Sequence, residues 1–361
     1  MTKLQELHEA GQSIWYDFIR RDMLTGSGLQ DLVAAGIRGV TSNPSIFEKA
    51  IADSNLYDDQ IAALQGETPA AIFETLAIQD IGSAADILRP VYEASGGHDG
   101  YVSLEVSPEL AHDTSATIAD AMRLWSEVDK PNLMVKVPAT AQGIPAIEEL
   151  TAAGLNINAT LMFSLSDYEA VAMAYIRGAE RAQDPSRLAS VASFFVSRVD
   201  ATTDAALERV GTDRALSLRG KTAIANAKVA YLRYQQLFEG HRFDQLRSGN
   251  VRPQRVLWAS TSTKNPDYND VMYVEDLIGP NTVNTAPPST IDAFIDHGTV
   301  TTDSLLVGME EAVKFIDALP QEGVDFDSIT ETLQADGVES FSDAYSSLLG
   351  AIAHKQAEIT T

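Results

Sequence analysis

The chain has 361 residues, 45% of them hydrophobic and none of them cysteine, and its 51 acidic residues against 26 basic ones give a net charge of −25. Without cysteine, disulfides, thiolate nucleophiles and cysteine-based metal sites are excluded. So acidic a chain argues against nucleic acid or an anionic membrane as a general partner, because either needs a basic face. A small anionic substrate is not excluded, since two or three well-placed cations suffice for it.

From the N-terminus, Met1-Thr-Lys-Leu-Gln-Glu-Leu-His-Glu9 lacks the apolar core of a signal peptide. No apolar run approaches the roughly 20 residues that span a bilayer. The expectation is a soluble, cytoplasmic protein. Short β-like runs then alternate with longer helical ones. The expected strands are Ile14–Ile19, Gly39–Ser42, Tyr101–Val106, Leu133–Pro138, Asn156–Phe163, Ser190–Val199, Arg255–Ser260 and Thr282–Asn284. Helical punctuation lies between them. Leu29–Ala35 is closed by Gly36, and a run opened by Gln142-Gly-Ile-Pro145 reaches Ala153 before Gly154. Asp31-Leu-Val-Ala-Ala-Gly-Ile37 and Glu149-Leu-Thr-Ala-Ala-Gly-Leu155 echo each other, as a βα unit used more than once would.

Alternating strands and helices predict an α/β fold with a parallel sheet. Eight such units in this length favour a (β/α)8 TIM barrel over an open, doubly wound sheet. No Pro- or Ser-rich linker interrupts residues 1–361, so one domain is expected, with helical insertions near 46–100 and 201–253. Phe341, Tyr345, Leu348, Leu349 and Ile352 recur at helical spacing, predicting a C-terminal helix that packs back on the body.

Lys136 is the least expected residue in these runs, a single cation inside Leu133-Met-Val-Lys-Val-Pro138. Burying an unpaired ammonium costs several kcal/mol, so such a lysine tends to shed its proton. A neutral amine in a dry pocket is a nucleophile suited to Schiff-base formation with a carbonyl. The plainer reading is that Lys136 snorkels from a strand end or pairs with a buried carboxylate. Other strands also carry polar residues in or just beyond their apolar runs: Asp17, Asn43, Glu105, Asn158 and Thr160, Ser193 and Arg198, and Ser260 through Lys264. In a barrel, polar residues at the C-terminal ends of strands read as catalytic.

Four motifs carry a resemblance. Thr41-Ser-Asn-Pro-Ser45 is similar to a signature of the transaldolases. Met134-Val-Lys-Val-Pro138 resembles their Schiff-base strand, and Asn158-Ala-Thr-Leu-Met-Phe-Ser164 their Asn-x-Thr-Leu-x-Phe-Ser segment. Glu275-Asp-Leu-Ile-Gly-Pro-Asn-Thr-Val-Asn-Thr-Ala-Pro-Pro288 resembles one branch of that family. The motifs keep the same order, and the similarity covers most of the chain.

The resemblance implies a (β/α)8 barrel that moves a dihydroxyacetone unit between sugar phosphates in the non-oxidative pentose phosphate pathway. Sedoheptulose 7-phosphate and glyceraldehyde 3-phosphate would yield erythrose 4-phosphate and fructose 6-phosphate, with no metal or organic cofactor. It implies Lys136 as the Schiff-base lysine, Asp17 as the base at the C4 hydroxyl, and Glu105 with Thr160 as proton shuttles, acting through a water. Asn43, Asn158 and Ser193 would bond sugar hydroxyls, Phe195 would line the site, and Arg198 would anchor the phosphate. Relatives place a second arginine after the seventh strand, where this chain reads Ala259-Ser-Thr-Ser-Thr-Lys264, so Lys264 and Ser262 are the expected substitutes. Phe194 stands where relatives often carry proline. The expected partners are small-molecule sugar phosphates, and the assembly a monomer or homodimer.

Two alternatives remain. A Schiff-base aldolase releasing free dihydroxyacetone would tend to carry glutamine in place of Glu105 and tyrosine in place of Phe195. A non-catalytic sugar-phosphate-binding barrel would be expected to have lost Lys136, Asp17 or Glu105. Other features carry less. Gly220-Lys-Thr222 lacks the rest of a phosphate loop, and Gly26-Ser-Gly28 lacks the third glycine of a dinucleotide fingerprint. The six histidines show no metal-ligand spacing, so no metal is expected. Trp15, Trp125 and Trp258 are scattered as packing residues are.

Overall fold

A computed structural model describes residues 1–359. Eight parallel strands close into a barrel in chain order. They are β1 Gln12–Tyr16, β2 Gly39–Val40, β3 Tyr101–Glu105, β4 Leu133–Pro138, β5 Ile157–Met162, β6 Ser190–Phe195, β7 Arg255–Ala259 and β8 Thr282–Ala286. Helices cover the outside, so the strands are enclosed on both faces. Every residue of β4, β5 and β6 is buried, which is why these segments read as unbroken apolar runs rather than alternating ones.

Register places the polar exceptions side by side. Across β3 and β4, Glu105 is the Cα partner of Lys136, and across β4 and β5, Lys136 is the partner of Asn158 and Pro138 of Thr160. Successive side chains alternate between faces. Ser103 and Glu105, Met134 and Lys136, Asn158 and Thr160, and Ser193 and Phe195 therefore point the same way. Hydrogen bonds across three strands fix that direction as the barrel interior: Asn158 Nδ2 donates to Ser103 Oγ (3.0 Å), and Ser193 Oγ donates to Asn158 Oδ1 (2.7 Å).

Strand ends depart from the sequence expectation in ways that matter for the site. β1 stops at Tyr16, so Asp17 and Ile19 lie beyond it. β6 stops at Phe195 instead of reaching Val199. From Ser197 the chain is a helix, Ser197–Val210, whose buried face repeats through Val199, Asp200, Thr203, Asp204 and Leu207. Arg198 is therefore a first-turn helical residue, not a strand residue. Val196, just ahead of the helix, and Val199, on its inner face, are both buried, which is why they look strand-like. β8 runs two residues past Asn284 to Ala286. In β5, Leu161 has φ +61° and the pairing with β6 shifts between Ala159 and Met162. This bulge re-aims the end of the strand just after Thr160.

The echoed helix exits have matching geometry. Helix Gly28–Ala35 leads through Gly36 (φ +125°) to β2, and helix Gly143–Ala152 leads by way of Gly154 (φ +95°) to β5. The stretch between β2 and β3 holds helices Pro44–Ala52, Asp58–Ala63 and Pro69–Ala94, and that between β6 and β7 includes Ser197–Val210 and Thr222–Tyr234.

The C-terminal helix starts at Phe326, well before Phe341, and runs to Ile359. It lies across the exits of β4 and β5. Gln334 Nε2 lies within donor distance of Ala139 O (3.0 Å), Leu161 O (3.2 Å) and Asp167 Oδ2 (3.1 Å). Gly337 allows the close approach, since a Cβ there would come within 3.0 Å of Leu161 Cδ2. Val338, Phe341, Leu348 and Ile352 are buried along its inner face. No helix among the described residues is long and apolar enough to cross a membrane.

Candidate active site

At the C-terminal end of the barrel a cavity of about 490 Å3 opens. Its walls include Asp17, Asn43, Lys136, Thr160, Ser193, Phe195, Arg198, Ser262 and Lys264. Nine of the eleven residues expected from sequence thus face one space. Glu105 and Asn158 do not line it. Glu105 faces an adjoining chamber of about 200 Å3, bounded by Phe47, Leu104, Ser107, Arg123 and Tyr345 among others. Asn158 is wholly enclosed one layer below, bonded to Ser103 and Ser193.

Lys136 is not the unpaired cation that its strand suggests. Its Nζ donates to Ser42 O at 3.2 Å and lies 3.6 Å from Glu105 Oε2. Ser42 is itself fixed by donating from its Oγ to Ser103 O. The lysine and glutamate side chains are only 7% and 6% exposed, so little solvent screens them from each other. Burial pushes the Glu105 carboxyl up to about 7 from its ordinary 4.5. Lys136 opposes that rise, and the negative field of Asp17 adds to it. A carboxyl poised near neutrality, next to an amine, can hold or return a proton at little cost.

Asp17 stands just past β1, its backbone N–H bonded to Ala286 O at 2.9 Å. Thr41 Oγ1 lies 2.6 Å from Asp17 Oδ1 and also 2.6 Å from Thr285 Oγ1, which ties the exits of β1, β2 and β8 together. Burial raises the Asp17 carboxyl above its usual range, while the Thr41 bond and the positive field of Lys136 pull the other way. Asn43 caps helix Pro44–Ala52, its Oδ1 accepting from Ile46 N at 3.0 Å. Thr160 Oγ1 is buried and has no hydrogen-bond partner among the described residues. A buried hydroxyl left free costs stability, and at the cavity wall this one is placed where a ligand or water could satisfy it.

Cations gather on one side of the mouth. Arg198 rises from the first turn of its helix, with its guanidinium 5.9 Å from the Phe195 ring centroid. Lys264 Nζ donates to Ser262 Oγ at 2.8 Å. Desolvation, then repulsion from Arg198 and Lys49, lower the Lys264 pKa below its usual range. The loop carrying Lys264 is tethered downstream: Tyr268 Oη donates to Asp204 Oδ2 (2.6 Å), and Tyr273 Oη to Asp200 Oδ2 (2.7 Å). Both aspartates lie on the helix whose first turn carries Arg198, so one element supports both cations.

Phe341 and Lys49 are among the wall residues that sequence reasoning passed over. Phe341, from the C-terminal helix, places its ring centroid 5.5 Å from Lys136 Nζ. Lys49, near the end of helix Pro44–Ala52, also lines the cavity. In the sequence, Glu48-Lys49 looks like an ordinary solvated helix face. Phe341 gives only the signal of an amphipathic tail. Among the described residues no cluster of three or more His, Cys, Asp or Glu side chains is arranged to hold a metal ion.

The chain as a whole has relatives among known proteins. A family model described as transaldolase/fructose-6-phosphate aldolase matches residues 14–352. The chain belongs to that family. A transaldolase of Frankia alni is 48% identical over 359 residues, covering 98% of this chain and 97% of the relative. One from Thermobifida fusca is 46% identical, covering 99% of this chain and all of the relative. A protein of Nostoc punctiforme named transaldolase 2 is 45% identical, with 98% and 97% covered. The match to the transaldolase/fructose-6-phosphate aldolase family thus runs from Ile14 in β1 through β8 and along the C-terminal helix to Ile352, a span that includes Phe341.

Proposed function

We propose that this protein is a transaldolase that transfers a dihydroxyacetone unit from a ketose phosphate to an aldose phosphate through a Schiff base on Lys136. The observation that carries the reading is the enclosed Lys136 amine, 3.6 Å from Glu105 and opening onto a cavity that also holds Asp17. The amine of Lys136 attacks C2 of the ketose. The carbinolamine loses its oxygen as water, which requires a proton donor, and Glu105 supplies that proton through the unpartnered hydroxyl of Thr160 and an intervening water. The iminium then withdraws electrons from the C3–C4 bond. Asp17 accepts the C4 hydroxyl proton, the bond breaks, and the shortened aldose leaves while the electron pair remains as an enamine on C3. The acceptor aldehyde is attacked by that carbon. Asp17 returns the proton to the new C4 hydroxyl, and water hydrolyses the iminium to free Lys136.

Asn43 and Ser193 bond the hydroxyls of the three-carbon unit, and Asn158 acts from below by orienting Ser193. Arg198, Lys264 and Ser262 receive the phosphate, for which charge-assisted bonds are the strong recognition element. Glu105 and Phe195 favour transfer over release of free dihydroxyacetone, because the lyase branch tends to carry glutamine and tyrosine there.

The test is borohydride trapping with fructose 6-phosphate, read by peptide mass spectrometry. A reduced three-carbon adduct on the Lys136 peptide, absent in Lys136→Met, is expected. Adding erythrose 4-phosphate before the borohydride should discharge it and yield sedoheptulose 7-phosphate. Folded protein that gives no adduct on any lysine at saturating substrate would overturn the reading.

A further inference from the structure

A chain with nearly twice as many acids as bases has little reason to leave cations unpaired, and most of its arginines are paired. Arg20, Arg21, Arg89, Arg123, Arg177, Arg181, Arg233, Arg242 and Arg247 each lie within 4.0 Å of a carboxylate oxygen. The cavity mouth is different. Arg198, Lys264 and Lys49 line the same space, and among the described residues none of the three has a carboxylate within ion-pairing distance. They come from three separate elements: the helix after β6, the loop after β7 and the helix after β2. Lys49 and Lys264 lie close enough to repel each other, as do Lys264 and Arg198. Like charges brought together without a counter-charge cost stability unless an anion joins them. The nearest acidic influence on Arg198 is Asp336 of the C-terminal helix, which is exposed.

We infer that Lys49 is a third arm of the phosphate anchor, reaching from the β2 side of the mouth and taking a role that the missing arginine after β7 leaves open. The inference rests on the proposed transferase reading, since it assigns the terminal phosphate of the sugar as the ligand. Geometry favours a clamp: Arg198 and Lys264 approach from the β6 and β7 exits, and Lys49 from the exit of β2, so the phosphate is held from two sides. The other use of Lys49 is electrostatic support for the C-terminal end of its own helix, where it occupies the last turn. That use predicts a change in stability with no preference among substrates, and the two are therefore separable.

Lys49→Met and Lys49→Arg are compared with the parent chain on fructose 6-phosphate and on unphosphorylated fructose, with melting temperatures measured alongside. The expected result for Lys49→Met is a fall in kcat/KM of about 10-fold or more for fructose 6-phosphate, carried by KM. Fructose should be turned over as before. Inorganic phosphate should inhibit the variant more weakly, and Lys49→Arg should restore most of the loss. An unchanged KM for fructose 6-phosphate, or an equal loss on both sugars, overturns the assignment of Lys49. A parent chain that handles neither sugar overturns the transferase reading instead, so the two failures are distinct.

Discussion

Glu105 and Lys136 face each other across neighbouring strands, their Cα atoms paired in register and their charged atoms 3.6 Å apart, while each opens onto a different cavity. The pair therefore forms part of the wall between the substrate space and the chamber behind it. Glu105→Gln keeps the shape and removes the titration. Activity is expected to fall at least about 100-fold, and the limb near pH 7 in the kcat/KM profile should vanish.

The same substitution makes a prediction about stability. With the Glu105 carboxyl near 7 in the folded chain against an ordinary 4.5, the native state holds the extra proton between those values. Native stability from this group therefore declines as pH rises through that window and is level above it. Relative to the parent, Glu105→Gln should gain a few degrees in melting temperature between about pH 5 and pH 8. A constant difference across the range would show that Glu105 titrates normally.

Asp17 is assigned the C4 proton, which moves only after the Schiff base exists. Asp17→Asn should thus form the adduct and stall. Borohydride trapping with fructose 6-phosphate is expected to yield a six-carbon adduct on the Lys136 peptide instead of a three-carbon one, with turnover down at least about 100-fold. Finding the three-carbon adduct at the parent rate would remove Asp17 from that role.

Tyr268 does not line the cavity, yet its 2.6 Å bond to Asp204 joins the Lys264 loop to the helix of Arg198. Tyr268→Phe should cost about 1 kcal/mol of stability. If the tether sets the spacing of the two cations, KM for fructose 6-phosphate should rise several-fold with kcat little changed. A fall in kcat alone would assign Tyr268 to another function.

Phe341 is the aromatic face above the Lys136 amine. Phe341→Ala removes a buried ring, at a stability cost of about 3 kcal/mol, and lets water approach the lysine. The expected readout is a several-fold increase in dihydroxyacetone released from fructose 6-phosphate without acceptor, relative to transfer with acceptor present. An unchanged ratio would mean that the ring packs but does not shield.

The barrel was legible because buried parallel strands must be apolar on both faces, which makes Lys136 in β4 and Asn158 in β5 conspicuous. What sequence left unresolved is depth. A polar residue inside a strand reads the same at the mouth as one layer below, so Asn158, enclosed, could not be separated from Thr160, at the wall. Strand ends were similarly hidden. The run from Ser193 to Val199 stays largely apolar while the backbone changes from extended to helical, and Arg198 moved from strand to helix accordingly. Phe341 and Lys49 needed tertiary contacts between elements far apart in the chain, which local periodicity does not encode.

Gln334 reaches the carbonyl oxygens of Ala139 and Leu161 from a helix that follows all eight strands in the chain. On the ribosome, every strand has therefore emerged before the segment that roofs the mouth. A nascent barrel can close around Lys136 while the amine proposed here as the nucleophile still lies open to surrounding aldehydes and ketones. Competence thus arrives last, with the docking of residues 326–359, and translation stopped short of that segment would leave an assembled nucleophile without its cover.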